Sequence, residues 1–393
     1  MLKTDIALVG TGVPGLAAAV GFAQQGCSVA LIGPRPKPFV ASRFDPFDAR
    51  IYAVAPGSVA LLERLGAWSS VDHQRVSPVE RMRVFGDAGD ELAFNSYGAT
   101  VERLATIVEE SELLRVLDAA CGYQPGITRI ESTFSALGAQ SDVATAELAD
   151  GTSVLARLLV GADGSSSAVR AAAGISAAVK SYGQTAVVAN FKSDRPHLNT
   201  AWQWFTAEGV VALLPLPQDH VSLVWSAPEP LAAELVALGA DDLARRVAER
   251  CAGPAEASAI GELTALGAAH AFPLRRMTVS RLIASRLALV GDAAHVIHPL
   301  AGQGLNLGLQ DVALLLEVVR TRESFREVGD AAVLRRYERG RSEALALMRF
   351  TTDALAQLFA LDDPLVRRLR NAGLATVNRL SPLKNALIRR ALG

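Results

Sequence analysis

Cysteine is scarce. The three present in 393 residues (Cys27, Cys121, Cys251) lie far apart and in no metal-ligand spacing. A disulfide framework or zinc knuckle is therefore excluded, and a reducing cytosol is the expected setting. No charge of one sign dominates: Lys+Arg 39 against Asp+Glu 40 leaves a formal net charge of -1. A broadly basic surface for nucleic acid is not expected from that balance. Uninterrupted apolar runs long enough to span a bilayer are missing. Gly10 and Gly12 break the N-terminal apolar stretch before it could read as a signal peptide. Charged residues make up only 20% of the chain and hydrophobic residues 50%, so it can bury a large core and is not disordered. What remains is an enzyme-sized chain with room for about two domains.

Along the chain, Asp5–Val9 is a short apolar run, followed by GTGVPG and an Ala-rich helical stretch, Leu16–Gln25. Gly26 ends that pattern and Ser28–Ile32 reads as another strand. A β-α-β order of this kind implies a parallel pair joined by a right-handed crossover. Further Gly-punctuated units begin at Leu158–Val160, leading into GADGSSSAVR, and at Leu287–Val290, leading into GDAAHVIHPLAGQGLNLG. Beyond the latter, Leu305, Leu309, Val312, Leu316 and Val319 follow the helical period and predict one buried face. Between these units the texture is β-like: Thr185–Phe191, Val210–Leu214 and Val221–Trp225, with a turn at Pro217–His220. A helix over Leu231–Cys251 is expected to follow.

The expected fold class is α/β: a Rossmann-like domain with an inserted, mainly β-sheet substrate domain and a helical C-terminus. The nucleotide-binding part is assigned to 1–75, 95–179 and 274–345, the insertion to 76–94 and 180–273, and the helical C-terminal region to 346–393.

GTGVPG supplies Gly10, Gly12 and Gly15 in G-x-G-x-x-G spacing, after a strand and before a helix. The first glycine makes the turn, the second lets backbone approach a pyrophosphate, and the third allows close helix–strand packing. The helix N-terminus offers unpaired N–H groups to the phosphates. An acid for the ribose hydroxyls is expected about 20 residues on, where Gly33 stands instead.

Three ordered motifs make the chain similar to the flavin-dependent aromatic hydroxylases (group A monooxygenases). Within that class it resembles the ubiquinone-biosynthesis hydroxylase family over nearly its whole length. GADGSSSAVR matches the class's Asp-Gly motif, with Asp163, Gly164, Ser167 and Arg170 in register. RLALVGDAAHVIHPLAGQGLNLGLQD matches its second flavin motif, containing Gly291 and Asp292. Asp48–Trp68 and the terminal LRNAGLATVNRLSPLKNALIRRALG are similar to the ubiquinone subfamily.

The resemblance implies FAD as cofactor and NAD(P)H as a transient co-substrate. It places Arg50 on FAD, Asp292 on the ribityl chain, and Pro299, Gly302, Gln303, Gly304, Leu305 and Asn306 along the isoalloxazine ring. Asp292 suits a polyol because a carboxylate is acceptor-only and serves two hydroxyls. The helix beginning near Leu305 turns its positive end toward a reduced flavin. The subfamily carries an Asn-Arg pair where Glu110 and Ser111 stand. Like Gly33, this departure bears on affinity for FAD and not on its identity.

The implied activity is hydroxylation of the aromatic ring of a polyprenylated phenol or quinone precursor in ubiquinone biosynthesis. In the family chemistry NAD(P)H reduces FAD, and O₂ forms a flavin C4a-hydroperoxide whose distal oxygen goes to the ring. Hydroxylation of a small soluble phenol or secondary metabolite, or a non-catalytic assembly subunit, are the alternatives. No catalytic base is identified; His220 and Tyr182 are candidates by residue type only. A metal pair at His295 and His298 is not expected, because both lie inside the flavin motif. Trp202-Gln203-Trp204 reads as aromatic packing.

Near-neutrality is an average over unlike regions. Pro364–Gly393 carries seven basic residues and no acidic ones, leaving -8 on the first 363 residues. Apolar Leu365, Val366 and Leu369, and later Leu383, Leu387 and Ile388, accompany those charges. The tail reads either as a helix packed on the nucleotide-binding domain or as a contact with a membrane or a biosynthetic complex. The expected location is the cytoplasm, with peripheral contact at the inner membrane face.

Overall fold

The computed structural model describes residues 1–42, 46–86, 91–138, 143–251, 260–297 and 303–360, without the side chains of 303, 344 and 347–360. Two eight-stranded sheets and one three-stranded sheet make up the framework among the described residues. In the first sheet the parallel strands run in the order Leu287–Leu289, Ser153–Gly161, Leu2–Val9, Val29–Ile32, Ile127–Ile130. Val29–Ile32 is buried at every position, as a central parallel strand covered on both faces must be. The helix Val13–Gln24 starts directly after the Gly12 cap with Pro14 in its first turn, where the missing N–H costs no hydrogen bond. It is almost wholly buried because helices Glu110–Gly122 and Gln303–Arg320 pack against it. On the latter helix Leu305, Leu309, Val312, Leu316 and Val319 are all buried, as their spacing predicts.

The second sheet is largely antiparallel and contains Arg81–Phe85, Glu91–Asn95, Ala177–Ser193, Thr200–Thr206, Gly209–Leu216, His220–Pro228 and Leu263–Val279. Its two long strands pair from Ala177↔Val279 to Ser193↔Leu263, so it extends past the expected 180–273 bounds. One face packs on the region 229–251 through Val187, Phe191, Trp202, Trp204 and Trp225. Two helices occupy that region, Glu229–Ala237 and Ala240–Cys251, where one was expected over Leu231–Cys251. Leu238 is extended (ψ 148°), and Gly239 accepts from the Leu243 amide to start the second helix. Asp241 and Asp242 in its first turn favour a new N-terminus there.

The two large sheets join at the third glycine motif. His295–Val296 leaves the motif and pairs with Met277 and Thr278 of the second sheet. The small sheet, Ile51–Val54, Ala105–Glu109 and Ser77–Val79, adds a further link. Asn190 of the second sheet donates to the carbonyls of Phe47 (3.4 Å) and Asp48 (3.3 Å), just before the small sheet's first strand. The final described helix is Ala331–Ala360; the basic stretch Pro364–Gly393 lies outside the described residues.

Candidate functional site

Parallel register brings the three motifs to one edge. Val9 pairs with Gly161, and Gly161 with Leu289, so each motif begins where its strand ends. Ligands in open α/β sheets bind outside these carboxyl ends. The motifs also touch one another. Gly10 has φ +117°, and a Cβ there would stand 2.1 Å from the Ala162 carbonyl oxygen. A Cβ on Gly15 would stand 2.2 Å from the Gly10 carbonyl oxygen. Pro14 wedges between Gly291 and Gly308, whose added Cβ atoms would lie 3.2 and 3.1 Å from its Cγ. Arg170 is buried and ties the second motif to the third, donating to the carbonyls of Ser165 (2.8 Å) and Ala293 (3.0 Å).

Other motif glycines behave in the opposite way. A Cβ on Gly12, Gly164 or Gly304 would meet nothing within 4 Å. Each motif therefore has one glycine with open space on its Cβ side beside tightly packed neighbours. A phosphate chain and a flat ring need main-chain approach of this sort, so the residues present fit FAD. Asp163 stiffens the second motif, accepting from the Ser167 hydroxyl (2.5 Å) and the Val169 amide (3.1 Å).

Asp292 follows the buried Gly291 at this sheet edge, open to solvent yet with protein on most sides. That crowding raises its pKa; His295 and Arg50 pull it down, while Glu110 and Asp311 add to the rise. Arg50 therefore lies within electrostatic reach of Asp292. Its guanidinium donates to Glu110 (3.1 Å) and stands 5.3 Å from the centre of the Phe272 ring, on the second sheet. Tyr52 donates to the same Glu110 at 3.0 Å. Burial first, and then the Glu110 carboxylate, push the Tyr52 phenol well above its ordinary range, so it remains a donor. Glu110, at a position where the subfamily has Asn, thus holds the arginine expected to reach FAD.

Sequence reasoning assigned no role to Asp311, although it closes the third motif. It is fully buried; Oδ2 accepts from the Gly291 amide (2.8 Å) and pairs with His295 Nε2 (2.7 Å). Its other oxygen accepts from Arg341 Nε at 2.5 Å, and Arg341 also donates to the Leu307 carbonyl at 3.2 Å. A lone carboxylate among the buried residues of an apolar helix was the available signal, since buried charges are rare unless paired. The cluster fixes the residue immediately before Asp292. Asn306, expected along the ring, is buried and uses its side chain to hold the small sheet: Oδ1 accepts from the Ala55 amide and Nδ2 donates to the Ala53 carbonyl, both at 2.8 Å. Leu305 beside it is buried.

Pro299 and Gly302 lie outside the described residues, as does His298; Gln303 begins the helix, but its side chain is not described. His220 Nδ1 meets the Pro217 carbonyl (2.9 Å), and its ring is edge-on to Phe47. Ser226 shares its strand and, like Phe272, pairs with Ala186. His220 lies six residues away from Ser226 on that strand, about 20 Å by strand geometry. Tyr182 falls in a bulge between Ser181 and Gln184. Trp202 and Trp204 pack in the sheet's helix-covered core, in agreement with the plainer reading of that triplet.

The pattern of the family described as FAD binding domain matches residues 3–351. The 3-demethoxyubiquinol 3-hydroxylase of Escherichia coli K12 is 35% identical, over 99% of this chain and 98% of that protein. The ubiquinone hydroxylase UbiL of Rhodospirillum rubrum is also 35% identical, over 99% of this chain and 89% of its own length. Among solved structures, PqsL from Pseudomonas aeruginosa superposes with a TM-score of 0.78 at 24% identity, covering 95% of this chain and all of that one.

Proposed function

The chain belongs to the FAD-binding-domain family, among the hydroxylases of ubiquinone biosynthesis, and from that premise we propose that it hydroxylates the aromatic ring of a polyprenylated phenol or quinone precursor. One observation carries the reading: the three glycine motifs follow strands that end together at one sheet edge, and each keeps a glycine, Gly12, Gly164 or Gly304, with open space on its Cβ side. FAD, held by these residues, would supply the redox chemistry between NAD(P)H and O₂, by which one oxygen atom would enter the ring and the other leave as water.

The protein's part is binding, orientation and exclusion of water. Gly10, Gly12 and Gly15 shape the pyrophosphate turn, and the amides at the start of helix Val13–Gln24 face its charge. Asp292 orients the ribityl chain by accepting from its hydroxyls. Arg50, Asp163, Gly164 and Arg170 form the side of the site, Arg170 by bracing Asp163's motif against that of Gly291. The segment Pro299, Gly302, Gln303, Gly304, Leu305 and Asn306 is assigned to the ring wall. The N-terminus of helix Gln303–Arg320 stabilises negative charge developing there. The substrate domain is assigned to 76–94 and 180–273, where Ala186, Val188, Asn190 and Ser226 lie buried on the sheet face opposite the tryptophans.

Among the described residues no helix is long and apolar enough to cross a membrane. Cytoplasmic residence with peripheral contact, through the basic stretch Pro364–Gly393, suits a lipid-borne substrate. The test is purified protein with FAD, NAD(P)H, O₂ and a prenylphenol, followed by flavin absorbance and by product mass. A yellow protein that adds one oxygen atom to the prenylphenol is expected. A colourless protein that gives no hydroxylated product overturns the assignment, and turnover of soluble phenols alone overturns the substrate class.

A further inference from the structure

Resting on the FAD reading above, we infer that Glu131 binds the adenosine ribose of the cofactor, from the strand next to the one that ordinarily carries this acid. In dinucleotide folds a carboxylate at the end of the second strand accepts from the ribose hydroxyls. Gly33 holds that position with φ +147°, and a Cβ there would stand 3.1 Å from Thr11 Cγ2. Backbone conformation and crowding both disfavour a side chain there, and glycine offers no carboxylate, so a carboxylate acceptor has to come from elsewhere.

The neighbouring parallel strand supplies one. Ile32 pairs with Ile130, and the Gly33 amide donates to the Ile130 carbonyl at 3.1 Å. Glu131 therefore leaves its strand level with Gly33, at the same carboxyl edge and about 4.8 Å to the side. One contact holds it to the loop after Gly33, and a second holds that loop to the pyrophosphate turn. Arg35 Nε donates to Glu131 Oε1 at 2.7 Å, drawing the carboxylate toward the loop after Gly33. Thr11, inside the G-x-G turn, donates from Oγ1 to the Pro34 carbonyl of that loop at 2.6 Å. With side chains 61% and 58% exposed, the Arg35–Glu131 pair contributes little to folding. It orients a carboxylate whose remaining lone pairs can still accept from hydroxyls. Arg35, having donors only, cannot do this itself.

The test compares ligands that differ only at the adenosine. Apoprotein is titrated with FAD, with FMN, which ends at the phosphate, and with an FAD analogue whose adenosine ribose lacks both hydroxyls; quenching of flavin fluorescence gives each Kd. In Glu131→Gln, with its melting temperature unchanged, the Kd for FAD is expected to rise about tenfold, equivalent to about 1.4 kcal/mol. The Kd for FMN should stay constant. The analogue should bind wild type and variant equally. A variant that binds FAD within twofold of wild type, or that loses FMN in parallel with FAD, overturns the inference. A wild-type protein that binds no FAD overturns the cofactor reading first, before any variant is made.

Discussion

Replacing Asp311 by Asn tests whether the buried ion cluster holds the flavin motif together. The wild-type carboxylate is fully buried and serves the Gly291 amide, His295 and Arg341. An amide of the same shape keeps one acceptor. Its –NH₂ must then oppose a donor, either the Gly291 N–H or the guanidinium. Arg341, 4% exposed, would keep a buried positive charge without a carboxylate. Breaking such a pair costs about 3–5 kcal/mol. For 393 residues at roughly 2.1 cal/mol/K each, the unfolding entropy is about 0.8 kcal/mol/K, so the melting temperature should fall by about 4–6 °C. Differential scanning calorimetry reads the shift, and FAD titration should show weaker binding, because Gly291 immediately precedes Asp292. Arg320→Ala, which removes an exposed pair with Glu317, is the control expected to leave the midpoint unchanged. A fall of less than about 1 °C in Asp311→Asn would refute the reasoning, since the cluster would then be dispensable to the fold.

Asp292→Asn should separate stability from binding. The folded-state pKa of Asp292 is raised, chiefly by the protein crowded around it, so its charged form opposes folding above the ordinary value of 3.8. The variant apoprotein should be the more stable at pH 7, with the gain vanishing as the pH falls below that value; equal midpoints at pH 7 would contradict this, and FAD affinity should drop. Gly12→Ala should fold normally but bind FAD poorly, because its Cβ enters open space. Gly10→Ala should instead lose stability, by about 1–3 kcal/mol from backbone strain plus the clash with Ala162; similar denaturation midpoints for the two variants would count against the distinction. Cys27, Cys121 and Cys251 are buried and raised in pKa, the last two pushed up to about 12, so a thiol reagent at pH 8 should label none before unfolding. Stoichiometric labelling of the native protein would refute that placement.

Much of the fold was legible because it rests on local rules. Period-2 and period-3.6 patterns marked the strands around GTGVPG and the buried face from Leu305 to Val319, and glycine spacing marked the turns. The error over Leu231–Cys251 was local as well: helical periodicity continued across Gly239, but the chain restarts there on an acidic first turn. Less of the candidate site could be read, because spacing identifies a motif without assigning work to each residue in it. Asn306 carries a motif position, yet its side chain holds the small sheet. Arg50 was expected at FAD, and its partner is Glu110, 60 residues away. Asp311 escaped notice because its value lies in Arg341, on another helix.

The sequence by itself determined the kind of ligand and the order of the binding segments. Glycines with positive φ, helix N-termini and a polyol-binding acid are properties of short stretches, and they remain visible however the chain folds. Tertiary structure alone decided which glycines pack and which stay bare, since that depends on Ala162, Pro14 and Gly308 arriving from distant parts of the chain. It also placed Glu131 beside Gly33, where a side chain would be strained. Parallel pairing is non-local: it aligns residues nearly 100 positions apart at one sheet edge, and no spacing in the sequence encodes that neighbourhood.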